Sequence, residues 1–141
     1  MEMPIQSTTV APARGLIDYT HWIYALHALS VVTGLLTAHA IALRFAFGLP
    51  SIVAVVMNYA RRSETRGSWL ESHFRWQIRT FWYAWLWIFL ISLISMPLML
   101  ILVGFVLDMI GLGVVGVWVI YRVARGWLAL RDGRAMPLPS E

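Results

Sequence analysis

The chain has no cysteine and no lysine among its 141 residues. Without cysteine there is no disulfide, no thiolate nucleophile, no iron–sulfur ligation and no cysteine-based zinc site. Charge is scarce too: 13% of residues are charged, against about 25% in an ordinary soluble domain. Hydrophobic residues make up 60%. A soluble domain of this length still exposes about a third of its chain surface, which leaves too little interior to hide that much apolar area. Together these shortages imply lipid as the solvent. No H-E-x-x-H, G-x-S-x-G or Walker motif occurs, and no pair of carboxylates falls in an apolar stretch. Chemistry inside a membrane needs a concentration of acids, bases or metal ligands, so the chain reads as non-enzymatic.

What is present is apolar sequence in two long runs. From Tyr19 to Ala60 the one Arg or acidic residue is Arg44, and from Thr80 to Tyr121 it is Asp108. A bilayer crossing takes about 20 apolar residues, and each run is about twice that. The pattern predicts an all-α integral membrane protein of one domain, with four transmembrane helices arranged as two hairpins. They are placed near 19–36, 40–59, 78–99 and 105–127, between a polar tail (1–18) and a C-terminal tail (131–141), with the membrane domain over 19–130. Met1–Arg14 has no basic region leading into a short apolar core, so no cleaved signal peptide is expected.

Arginine placement sets the threading. Arg61, Arg62, Arg66, Arg75 and Arg79 lie between the second and third helices; Arg122, Arg125, Arg131 and Arg134 follow the fourth; Arg14 precedes the first. Four crossings put all of these on one side, which by the positive-inside rule is the cytoplasm, together with both termini. Three crossings would split two strongly basic segments between opposite faces. The competing three-span reading rests on Ser30, Gly34, Ala38, Ala42 and Ala46, a small-residue strip at i+4 that suits one long first helix turning at Gly48 and Pro50.

The stretch Asn58–Trp87 carries the strongest local signals. Ser68-Trp-Leu-Glu71 fits the S/T-x-x-E capping box, with the Ser68 hydroxyl and the Glu71 carboxylate each capping the other residue's N–H. The third helix should therefore begin in loop 60–77, before it enters lipid. Trp69, His73, Trp76 and Thr80 share one face and are expected at the headgroup layer. Trp76, Trp82, Tyr83, Trp85 and Trp87 then form an aromatic belt. The candidate interaction residues are Arg61, Arg62, Arg66, Trp69, His73, Arg75, Trp76, Gln77 and Arg79, facing anionic lipid headgroups or a protein partner. A membrane boundary accounts for both the arginines and the tryptophans, so nucleic acid is not the expected partner.

Other residues invite functional readings that the pattern supports less well. His27 and His73 are the best pair for haem, but His27 and His39 face sides roughly 120° apart on one helix, and no two histidines have a diagnostic spacing. No cofactor or metal is expected. Arg44 and Asp108, the lone charges of the two hairpins, are either solvated loop charges at the outer face or an ion pair tying the hairpins together. Gly104, Gly111, Gly113 and Gly116 thin one side of the fourth helix for close packing. Gly111–Gly116 also spells G-x-G-x-x-G, but without the strand that this fingerprint requires.

The segments NYARRSETRGSWLESHFRWQIRTFWY and WVIYRVARGWLALRDG resemble a family of small bacterial inner-membrane proteins of unknown function. That family is grouped with the four-helix Tic-twenty-type subunits of the chloroplast inner-envelope translocon. The resemblance spans about 24–133 and implies four helices with both ends in the cytoplasm of a bacterial inner membrane. It implies no catalytic residue. The expected role is a scaffold or accessory subunit acting through the Arg/Trp-rich cytoplasmic face. The alternatives are a transport, channel or translocon-like component active as a homo-oligomer, and a haem or quinone electron carrier.

Overall fold

The structure, a computed structural model, describes residues 10–36 and 41–137, and the side chains of these except 41–47. The described chain is all-helical and contains no strand: α1 (Arg14–Leu36), α2 (Ile41–Ala60), α3 (Leu70–Leu98) and α4 (Val103–Arg131). Short 3-10 segments, Arg62–Thr65 and Met99–Ile101, lie between α2 and α3 and between α3 and α4. α1 starts inside the segment read from sequence as a polar tail. Leu16 explains why: it is buried in one cluster with Leu70 and Leu130, so the first turn of α1 has apolar contacts to make.

α1 and α2 run antiparallel. The Tyr19 hydroxyl donates to the Met57 carbonyl (3.0 Å), and His27 Nδ1 meets Ser51 Oγ (3.1 Å). With this register α1 and α2 are two helices side by side, not a single long helix running on to Gly48. Pro50 is accommodated inside α2. Of the small-residue strip, Ser30 is buried and Gly34 has open space beside it. Ala38 and the side chains of Ala42 and Ala46 fall outside the described residues.

α3 and α4 form the second antiparallel pair. Each has 29 residues, about 43 Å at 1.5 Å per residue, more than the ~30 Å hydrocarbon core. By length and composition two helices are apolar enough to cross a membrane, Leu70–Ile101 and Val103–Arg131, while α2 adds a shorter apolar stretch, Gly48–Ala60. The turn between α3 and α4 places Leu102 at φ 63°, the left-handed region. Gly104 follows because a Cβ there would collide with the Ser95 carbonyl oxygen and the Met99 nitrogen. Close packing also explains two more glycines: a Cβ on Gly111 would lie 2.9 Å from Ile91 of α3, and one on Gly116 would lie 2.9 Å from Leu35 of α1. Two glycines of the G-x-G-x-x-G run, Gly111 and Gly116, thus serve packing inside a helix, whereas Gly113, expected to do the same, has open space beside it.

Well-covered apolar packing gathers at one end. One cluster joins Leu16, Tyr24, Leu70, Val123 and Leu130; the other joins Ile23, Ala54 and Phe74. Fully burying a side chain such as Leu70 or Phe74 is worth roughly 1.5–3 kcal/mol. Towards the other end α3 and α4 keep contact with each other but leave Trp82, Phe89, Leu93, Val106 and Val114 exposed.

Candidate functional site

The packed end is built from three local motifs. The first is the start of α3. Gly67, at φ 74°, turns the chain after the 3-10 segment, and the Glu71 carboxylate accepts the Gly67 N–H (3.1 Å). The reciprocal capping box does not form. Ser68 instead donates its hydroxyl to the Thr65 carbonyl (2.7 Å), and the Glu71 N–H goes to the Ser68 carbonyl oxygen. With its hydroxyl turned back toward the 3-10 segment, Ser68 cannot cap the helix, and Glu71 reaches one residue further than the motif specifies. Glu71 also holds Arg75 at 2.7 Å, one turn along.

The second motif ends α4. Gly133 adopts φ 66°. Its N–H bonds the Leu130 carbonyl (3.0 Å), and the Arg134 N–H bonds the Ala129 carbonyl (2.8 Å). This is a Schellman turn, which needs a left-handed residue that glycine supplies without strain. It folds residues 134–136 back across the start of α3, where Ser72 Oγ accepts the Met136 N–H (2.8 Å) and Met136 is buried. The segment read as a C-terminal tail from residue 131 is therefore docked through Met136. Asp132 in this turn accepts from Arg134 (2.9 Å), and that hydrogen bond holds its carboxyl below the usual range.

The third motif is His73, which ties the other two together. Its Nε2 lies 2.7 Å from the Arg134 carbonyl oxygen and its Nδ1 lies 2.9 Å from the Tyr24 hydroxyl. A carbonyl can only accept, so Nε2 carries the proton. In the neutral ring Nδ1 is then the acceptor, and the Tyr24 hydroxyl donates to it. One imidazole thereby joins α1, α3 and the segment after α4. Tyr24 fits because Gly126 of α4 leaves room for its ring. Trp69 adds an edge-on contact at 5.6 Å between ring centroids.

One turn further along α3, Trp76 donates its indole N–H to the Arg122 carbonyl (3.0 Å), and the Arg122 guanidinium lies over the Trp76 ring at 3.6 Å. Arg122 Nε donates to Thr80 Oγ1 (2.6 Å), and Thr80 in turn donates to the Trp76 carbonyl. Trp127 reaches back to His21 Nδ1 on α1 (2.9 Å). The Trp69–His73–Trp76–Thr80 face thus lies in the seam with α4 and the C-terminal segment. Trp82, Tyr83, Trp85 and Trp87 are exposed.

The sequence-derived candidates divide into two groups. Arg61, Arg62, Arg66, Arg75 and Arg79 are on the surface, and Arg61 pairs with Glu64 (3.4 Å) and covers the Tyr19 ring. His73 and Gln77 lie inside the bundle, and Trp69 and Trp76 are half-buried, so these four build the packed end rather than a free face. Asp108 is buried in the second turn of α4 and is not a solvated loop charge. The Arg44 side chain, and with it the Arg44–Asp108 pair, falls outside the described residues, as does His39. A haem between His27 and His73 would have to displace Tyr24 or the Arg134 carbonyl from His73. Tyr24 and the Arg134 carbonyl were not singled out from sequence, and Arg122 and Gly126 entered it only through the threading and the resemblance, not as parts of this site. Helical spacing gives no sign of a contact between residues 61 positions apart. The comparisons with family models, curated proteins and solved structures return no match.

Proposed function

We propose that the chain is a non-enzymatic, integral inner-membrane protein with four crossings and both termini in the cytoplasm. In this reading it is a scaffold or accessory subunit whose arginine-rich cytoplasmic face meets a partner. The observation that carries the proposal is the division of the bundle into a hydrogen-bonded, arginine-bearing end and a bare apolar end. Arginines flanking long apolar helices on one side fit the positive-inside pattern, and bare Trp, Phe and Leu on α3 and α4 fit lipid contact. The resemblance to small bacterial inner-membrane proteins supports the same topology.

The absence of cysteine makes the test clean. Single-cysteine variants Ser63→Cys, His39→Cys and Leu100→Cys are expressed in cells and treated with a membrane-impermeant maleimide. Leu100→Cys and His39→Cys should label in intact spheroplasts, and Ser63→Cys only after lysis. Labelling of Ser63→Cys from outside overturns the orientation, and lysis-dependent labelling of His39→Cys overturns the four-crossing count. A photocrosslinker at Arg62 or Arg66 should capture one discrete partner; capture of none removes the accessory role.

A transport or translocon-like component active as an oligomer is the second reading. It is favoured by polar atoms without partners inside the bundle, namely His27 Nε2, Ser95 Oγ and the amides of Asn58 and Gln77. Native mass spectrometry separates the two readings: a defined homo-oligomer favours transport, and an unrelated co-purifying subunit favours the accessory role. A haem carrier on His27 and His73 requires a Soret band in the purified protein.

A further inference from the structure

The arginines at the packed end differ in how their charge is met. Arg61 has Glu64, Arg75 has Glu71, and Arg131 and Arg134 share Asp132. At the seam between α3 and α4 the arrangement is different. Arg122 is half-buried over Trp76 and 5.1 Å from the Trp118 ring centroid, and Arg125 reaches the same Trp76 ring at 5.7 Å. The charged neighbours acting on Arg122 are Arg79 and Arg125, together with tyrosines and no carboxylate. Among the described residues no acidic side chain pairs with any of these three arginines. A cation partly withdrawn from water among other cations is unfavourable unless an anion joins it.

The helices also dictate what kind of anion fits. On α3, Arg79 is followed at i+4 and i+7 by Tyr83 and Leu86, all exposed; Arg79 covers the Tyr83 ring. On α4, Arg125 is preceded at i−4 and i−8 by exposed Tyr121 and Val117, and it donates to the Tyr121 hydroxyl (3.0 Å). The helices are antiparallel, with Trp76 beside Arg122 and Ile91 beside Gly111. Both series therefore descend the same way in space, from arginine through tyrosine to aliphatic. That order matches a lipid read from headgroup through interface to acyl chain.

We propose that Arg79, Arg122 and Arg125 form a site for the phosphate of an anionic membrane lipid, whose acyl chains lie along the exposed faces of α3 and α4. The proposal rests on the membrane reading given above and adds a specific place and ligand class to it. Arg122 and Arg125 supply the guanidinium groups at the seam, Arg79 closes the site from α3, and Tyr83 and Tyr121 mark the interfacial level. The arginines of loop 61–66 set orientation and are outside this site.

The test is native mass spectrometry of the full chain released from nanodiscs of equimolar phosphatidylglycerol and phosphatidylcholine. The unaltered chain should retain phosphatidylglycerol over phosphatidylcholine by about ten-fold or more. The triple variant Arg79→Gln/Arg122→Gln/Arg125→Gln should retain the two at the bulk ratio. Because Arg122 also packs on Trp76, the double variant Arg79→Gln/Arg125→Gln, altered only at exposed positions, should lose most of the preference while keeping its thermal midpoint. Arg61→Gln/Arg62→Gln/Arg66→Gln removes equal charge from the loop and should keep the preference. Equal loss in the loop variant, or an unchanged preference in both seam variants, overturns the site. Full displacement of the retained lipid by millimolar inorganic phosphate in detergent also overturns it, since the ligand would then be a free anion. A chain that stays in the disc without selecting phosphatidylglycerol refutes the site alone, whereas one stripped from membranes by alkaline carbonate refutes the membrane reading.

Discussion

At the end of the bundle that holds Leu70, Phe74 and His73, large side chains are almost wholly covered by protein. From Trp82 to Val114 the same two helices leave Phe89 at 60% and Leu93 at 58% exposure. The contrast shows where specificity is written. At the packed end Tyr24, Ser72, His73, Trp76 and Arg122 are each directed to a named partner, so shape and hydrogen bonding fix the arrangement. Along the bare stretch the requirement is apolarity and helix contact, met by Gly111 against Ile91 and Gly116 against Leu35.

The sharpest way to break the comparison is a matched pair of phenylalanines. Phe74→Ala should destabilise the fold by about 3–5 kcal/mol, whereas Phe89→Ala should stay within about 0.5 kcal/mol. Thermal unfolding in detergent, followed by circular dichroism, reads both. Equal losses would mean that the bare face is covered by protein. Next in size is Tyr24→Phe, which leaves buried His73 Nδ1 without its donor and should cost about 1–3 kcal/mol. The imidazole nitrogen resonances of His73 report the change directly.

The two ends also treat the left-handed backbone differently, with Gly133 at one and Leu102 at the other. Gly133→Ala should cost about 1–2 kcal/mol, and Leu102→Gly should relieve strain of similar size. Opposite shifts in the thermal midpoint are expected, and shifts of the same sign would contradict the assigned turns. The smallest effect is on pH. Arg134 depresses the Asp132 carboxyl, so the stability it contributes is present above the ordinary aspartate value and is lost as pH falls through the lowered one. Asp132→Asn should flatten that acid limb, as read by protease cleavage of the C-terminal segment against pH.

Much of the architecture was legible in the sequence because hydropathy is a local property. The apolar runs and the turn near Met99–Gly104 follow from the hydropathy pattern, whereas the first run stayed open between two helices and one long helix. The arrangement of the packed end was not legible. Trp69, His73 and Gln77 look interfacial by residue type, and it is Tyr24 of α1 together with the return of residues 134–136 over α3 that makes His73 interior. The capping box failed for a related reason, since Ser68 has a competing acceptor in Thr65 that a four-residue motif does not include. Gly126 and Gly133 could have drawn attention as glycines near a helix end, but nothing in their spacing pointed to Tyr24 or His73.

The fold-back after Gly133 has a consequence for synthesis. His73 finds its Nε2 partner 61 residues downstream, so while a ribosome is still making α4 the start of α3 holds a histidine with one unmet donor. The packed end therefore closes only after Arg134 and Met136 emerge. A nascent chain stalled before Gly133 should leave Ser72 and His73 open to hydrogen exchange, while the α1–α2 pair, joined through Tyr19 and His27, is already complete.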